Sequence, residues 1–98
     1  MNLFDFFSLR SFLSPFLGAA IKPGVAVVAS GLRDYAPRVY DSILAALADV
    51  TDAQLGQLIS EAAAWLNVPA ARQEWFGFVV RELHRRAATA SAQKVKTA

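Results

Sequence analysis

Cysteine is missing from this 98-residue chain, and histidine occurs once, at His84. Without cysteine there is no disulfide framework, no thiolate metal site and no cysteine nucleophile, and the redox compartment is left open. One histidine excludes a multi-histidine metal centre. The sequence also lacks a Gly-rich phosphate loop, a GxSxG elbow, an HExxH helix and an EF-hand loop. Asp49 and Asp52 flank a helix junction, where such pairs serve as caps and dipole partners rather than as an acid/base dyad. His84 falls at the border of an apolar stripe among basic neighbours, and no orienting partner is evident for it. The expectation is a non-enzymatic chain with no cofactor, no metal and no small-molecule substrate.

Charge is scarce as well, at 18% of residues, and residues 1–32 carry only Asp5, Arg10 and Lys22. In its place stands apolar surface: 55% of residues are hydrophobic and the mean hydropathy is +0.34, which excludes a disordered or collagen-like chain. A chain of this length forms one domain and buries about two-thirds of its unfolded surface. The formal charge of +2 conceals a gradient. Residues 1–80 carry five Lys/Arg against seven acids, whereas residues 81–98 carry Arg81, Arg85, Arg86, Lys94 and Lys96 against Glu82 alone. Those five cations are candidates for contact with an anionic partner such as nucleic acid, lipid headgroups or an acidic protein face.

Five of the seven Phe lie within the first sixteen residues. On a helical wheel Phe6, Leu9, Phe12, Leu13, Phe16 and Leu17 share a broad face, with Ser8, Ser11 and Ser14 opposite and Phe4 and Phe7 on the serine side. A helix apolar nearly all round must be covered on several sides. Pro15 should bend or interrupt it, and Lys22-Pro23-Gly24 reads as a turn. Residues 25–32 are rich in β-branched side chains, but no second strand pattern exists to pair with them, so they read as helix or extended linker.

From Asp34 onward the pattern predicts three helices. Asp34 caps the first, with Pro37 in its first turn and Tyr35, Val39, Ile43, Leu47 and Val50 on its inner face. Thr51-Asp52-Ala53-Gln54 is a capping box opening the second, whose arc is Leu55, Leu58, Ile59, Ala62, Trp65 and Leu66. Asn67-Val68-Pro69 ends it. The third runs from about Pro69 to the early 90s on Trp75, Phe76, Val79, Val80, Leu83 and Ala87, and Glu82 pairs with Arg86 at i,i+4. Beyond Ala87 the chain should fray. Trp65, Trp75 and Phe76 read as core, whereas Phe78 projects from the polar side and suggests a contact.

The expected architecture is all-α: a small three-helix bundle over 34–90, an apolar helical arm and connector over 1–33, and a basic tail over 91–98. The expected function is that of a structural or assembly subunit of a larger complex, such as a minor virion or membrane-complex component. Its Phe-rich arm would dock on other protein subunits, homo- or hetero-oligomeric, through Phe4, Phe6, Phe7, Leu9, Phe12, Leu13, Phe16 and Leu17, with Phe78 as a further contact. One alternative is a membrane-anchored or membrane-active protein. Residues 11–32 would span about 33 Å as a helix, but Lys22 and two prolines interrupt the stretch. The other is a small nucleic-acid-binding module, although no aromatic interleaves with the basic residues and no polar recognition helix is present. A cleaved signal peptide is not expected, because Arg10 follows Asp5 and several Phe rather than preceding the apolar run, despite a cleavage-like Val27-Val28-Ala29.

Overall fold

The computed structural model describes the backbone of residues 3–18 and 23–97, and the side chains of residues 7–18 and 23–90. Among these residues the fold is all-α: α1 (Leu3–Leu17), α2 (Val25–Tyr35), α3 (Pro37–Leu47), α4 (Asp52–Trp65) and α5 (Ala70–Thr97). The β-branched run at 25–32 is helical. With no strand beside it among the described residues, its amide groups are satisfied within the segment instead.

Helix boundaries follow local chemistry. Pro37 supplies no N–H and disfavours a helical residue before it, so Ala36 leaves the helical region at φ −138°, ψ 70° and α3 starts afresh at Pro37. Asp34 therefore lies inside α2 and caps nothing; the N-cap of α3 is Ala36, without a side-chain bond. The Thr51 capping box is formed on both sides, Gln54 N donating to Thr51 Oγ1 at 3.2 Å and Thr51 N to Gln54 Oε1 at 3.1 Å. At the other end of α4, Asn67 takes φ 56°, and the Val68 and Asn67 amides donate to Ala63 and Ala64 at 3.0 and 3.3 Å. That is a Schellman ending, and Val68 buries its side chain over it.

α5 is the hub. Its 28 residues span about 42 Å, close to the 44 Å long axis of the molecule, and α2, α3 and α4 all pack on it, while α1 packs on α3. Trp75, Phe76, Val79, Val80, Leu83 and Ala87, the apolar stripe read from its sequence, are all buried. The helix continues through the alanine-rich stretch to Thr97, past the expected end in the early 90s, as the helix preference of alanine favours. α4 and α5 approach closely at Gly77, where a Cβ would meet Ile59 Cγ2 at 3.3 Å. α1 is continuous through Pro15 in its last turn, although proline has no N–H to donate to the Ser11 carbonyl one turn back.

One apolar cluster unites the described helices. Leu9, Leu13 and Leu17 of α1 and Val28, Ala29 and Leu32 of α2 belong to it, together with Ile43, Leu55, Phe76 and Leu83. Five helices thus share the core that three were expected to form, and α1 is part of the body rather than a free arm. Polar clasps reinforce this. Arg10 Nε donates to the Leu66 carbonyl at 2.5 Å, placing a cation on the C-terminus of α4. Arg72 Nε donates to the Phe16 carbonyl at 3.3 Å, and Trp75 Nε1 to the Pro23 carbonyl at 2.9 Å.

Candidate functional site

The buried face of α1 is its leucine row, Leu9, Leu13 and Leu17, at i, i+4 and i+8. Residues expected to meet a partner at these three positions instead close the chain's own core, because the row faces the apolar side of the body. Burying the leucines turns the Phe side chains toward the flank. Phe7, Ser8, Ser11, Phe12, Pro15 and Phe16 of α1 form one wall of a groove, and Leu32, Tyr35, Ala36 and Val39 at the α2–α3 corner form the other. The groove encloses about 660 Å³. Its walls carry no Asp, Glu, Lys or Arg; the side-chain polar groups are the Ser8, Ser11 and Tyr35 hydroxyls.

Aromatic contacts order this face. Phe12 packs edge-on to Phe16 at 6.5 Å and tilts against Tyr35 at 6.0 Å between ring centroids. Phe16 reaches inward to Trp75 at 6.2 Å, and Phe7 lies against Trp65 at 4.5 Å. Such separations suit the ring quadrupoles and fix the side chains in place. Tyr35 is nonetheless 80% exposed, Trp65 48% and Phe7 46%. An exposed aromatic set beside an apolar hollow marks a contact surface.

Of the residues the sequence pointed to, Phe7, Phe12 and Phe16 meet at this groove. Phe4 and Phe6 lie outside the described side chains, as do Lys94 and Lys96. Phe78 is half-exposed in a separate hollow of about 300 Å³ between α4 and α5, beside Gly77 and Arg81. Two exposed aromatics on or beside this face depart from the sequence reading. Tyr35 had been assigned to the inner face of the following helix, but Pro37 restarts the helix and leaves Tyr35 at the end of α2. Trp65 had been assigned to the core, yet it sits in the last turn of α4 and covers Phe7.

Among the described residues, Arg81, Arg85 and Arg86 do not gather into an anion clamp. Glu82 accepts from Arg85 Nε and Nη2 at 2.9 and 2.7 Å and from Arg86 Nε at 2.8 Å. Arg86 also donates to the Tyr40 hydroxyl at 3.5 Å, to the Ala26 carbonyl at 3.2 Å and to Ser30 Oγ at 3.1 Å. It is a strut between α2, α3 and α5, and its expected contact with an anionic partner gives way to these internal acceptors. Arg81 is exposed. His84 is a strut too: its Nε2 lies 2.6 Å from the Val50 carbonyl, which can only accept, so Nε2 donates and Nδ1 faces Asp52 at 3.8 Å. Among the described residues no group of three or more His, Cys, Asp or Glu side chains is placed to hold a metal ion.

The guanidinium of Arg85, joined by that of Arg86 and opposed by burial, lowers the Glu82 carboxyl from 4.5 to about 2. A depressed carboxylate stabilises the fold above its unfolded value and loses that contribution as pH falls through its folded value. Stability is therefore expected to drop between about pH 4.5 and pH 2. The drop should be about 1–2 kcal/mol, less than the full shift implies, because Arg85 is 66% exposed and screened. Urea unfolding across that range checks it, and Glu82→Gln should flatten the profile.

No family model matches the chain, and neither the curated proteins nor the solved structures include a match to it.

Proposed function

We propose that the chain is a non-enzymatic structural or assembly subunit that docks on protein through the aromatic face of α1 and the α2–α3 corner. The observation that carries this reading is the uncharged groove of about 660 Å³ with Phe7 and Tyr35 exposed along it. Aromatic side chains held in fixed positions around a hollow are the usual anchors of protein interfaces, since they bury large area at low entropic cost. The docking element is narrower than the whole N-terminal helix. Its leucines hold the fold together, and only the Phe flank is left to meet a partner.

A membrane-associated role is the competing reading, because aromatic residues also favour the bilayer interface. Among the described residues no helix is long and apolar enough to cross a membrane. The nucleic-acid reading has less support, since Arg85 and Arg86 both bond to Glu82.

Detergent-free sedimentation and flotation on vesicles of neutral and anionic phospholipid separate the first two. Under the assembly reading the full chain does not float on either vesicle type, and a species heavier than the monomer, where one forms, returns to monomer in the double variant Phe7→Ser, Tyr35→Ser with unchanged helicity. Flotation of a monomeric chain, lost in the same variant, would overturn the assembly reading in favour of the bilayer.

A further inference from the structure

We infer that the partner seated on the aromatic groove is a second copy of this chain, bound face to face about a two-fold axis. This deepens the assembly reading and rests on it. Three observations point to the same occupant.

A two-fold interface must be complementary to itself, with a knob and its hole on one face of one chain. Here the hole is the groove between α1 and the α2–α3 corner, and the knobs stand on its own rims. Tyr35 is four-fifths exposed and Phe7 about half. Rotating one copy onto another brings the rim aromatics of each over the hollow of the other.

Electrostatics agrees. Any face with a net charge repels its own duplicate, and like charges set opposite one another cost several kcal/mol. The groove walls carry no ionisable carboxylate, lysine or arginine, although the chain holds eighteen such residues. Asp41 lies 200° around α3 from Val39, and Asp34, next to Tyr35 in α2, is paired with Arg33 at 3.5 Å.

The available area then sets the strength. A standard interface needs about 800 Å² from each partner. Of the groove's own rim, Phe7 and Tyr35 together expose about 270 Å² at aromatic side-chain sizes. The exposed serines Ser8, Ser11 and Ser14 add to this, and their small side chains let a second α1 come close. A dimer built this way sits at the weak end of specific association, with a dissociation constant on the order of 10 µM.

Sedimentation velocity of the full chain from roughly 1 to 200 µM tests this, with vesicle flotation run in parallel. The expected result is a concentration-dependent monomer–dimer equilibrium, with no larger species. Ser11→Arg would place a charge on each copy's groove wall and should weaken the dimer more than about tenfold. Ser11 is exposed, so the melting temperature should hold. Tyr35→Ala removes the knob without introducing charge and should weaken the dimer in the same direction. A dimer that survives both substitutions unchanged overturns the two-fold groove interface but leaves the assembly reading standing, with another face as the contact. A chain that stays monomeric throughout the range overturns the inference outright, and flotation of that monomer overturns the assembly reading with it.

Discussion

Leu13→Ala is expected to lower the free energy of unfolding by about 3 kcal/mol, within the range for emptying a buried leucine site. Leu13 is fully buried, between Leu9 and Leu17 on the row that α1 presses into the common core. The lost methyl groups forfeit their transfer energy, and the surrounding helices cannot close the gap without shifting α1 on α3. A fifteen-residue helix is marginal in water by itself, so α1 depends on this burial for its existence. Urea unfolding followed by far-UV circular dichroism measures the change. A midpoint equal to that of the parent chain would mean that α1 contributes nothing to the body and behaves as the detached arm its composition suggests. Phe7→Ala provides the contrast: Phe7 is half-exposed, and the same measurement should show a loss of about 1 kcal/mol or less.

Arg86→Met is expected to cost about 2–3 kcal/mol, although it keeps most of the apolar stem. The guanidinium bonds Glu82 on its own helix, Ser30 and the Ala26 carbonyl on α2, and the Tyr40 hydroxyl on α3. Methionine strands several of these at once. Glu82, only 11% exposed, would retain Arg85 alone, and a largely covered carboxylate with fewer partners is costly. The Tyr40 hydroxyl and Glu82 together favour the charged form of Arg86, holding its pKa above the ordinary arginine value. Arg86→Lys should recover only part of the loss, because an ammonium group cannot fork toward acceptors on three helices. Thermal unfolding of the three proteins at neutral pH ranks them, and equal stability of the methionine and parent chains would remove Arg86 from the framework.

Much of the framework was legible in the sequence. The stripe from Trp75 to Ala87 is long and strictly periodic, so its burial followed from spacing. The Thr51 box and the Asn67 ending rest on groups a few residues apart, and such local chemistry needs no knowledge of the rest of the fold. The Glu82–Arg86 pair is of the same kind. The failures have a common cause. A wheel drawn through residues 34–50 runs past Pro37, and this assigned Tyr35 to the core and Asp34 to a cap. The β-branched run at 25–32 was ambiguous because propensity there is weak, and packing on α5 decides it.

By itself, then, the sequence determined an all-α chain with no cysteine chemistry, one histidine, an apolar N-terminal third and the main helix signals. Those properties depend on composition and on neighbours within about four positions, and they persist whatever the chain packs against. The tertiary structure alone decided which side of α1 faces inward. An apolar girdle offers both its leucines and its phenylalanines to the core, and periodicity cannot choose between them. The choice falls to contacts more than fifty residues apart, Arg10 on the Leu66 carbonyl and Arg72 on the Phe16 carbonyl, which set the rotation of α1 against the body. With the leucines turned in, the Phe flank meets the α2–α3 corner, and the groove exists only because both are in place.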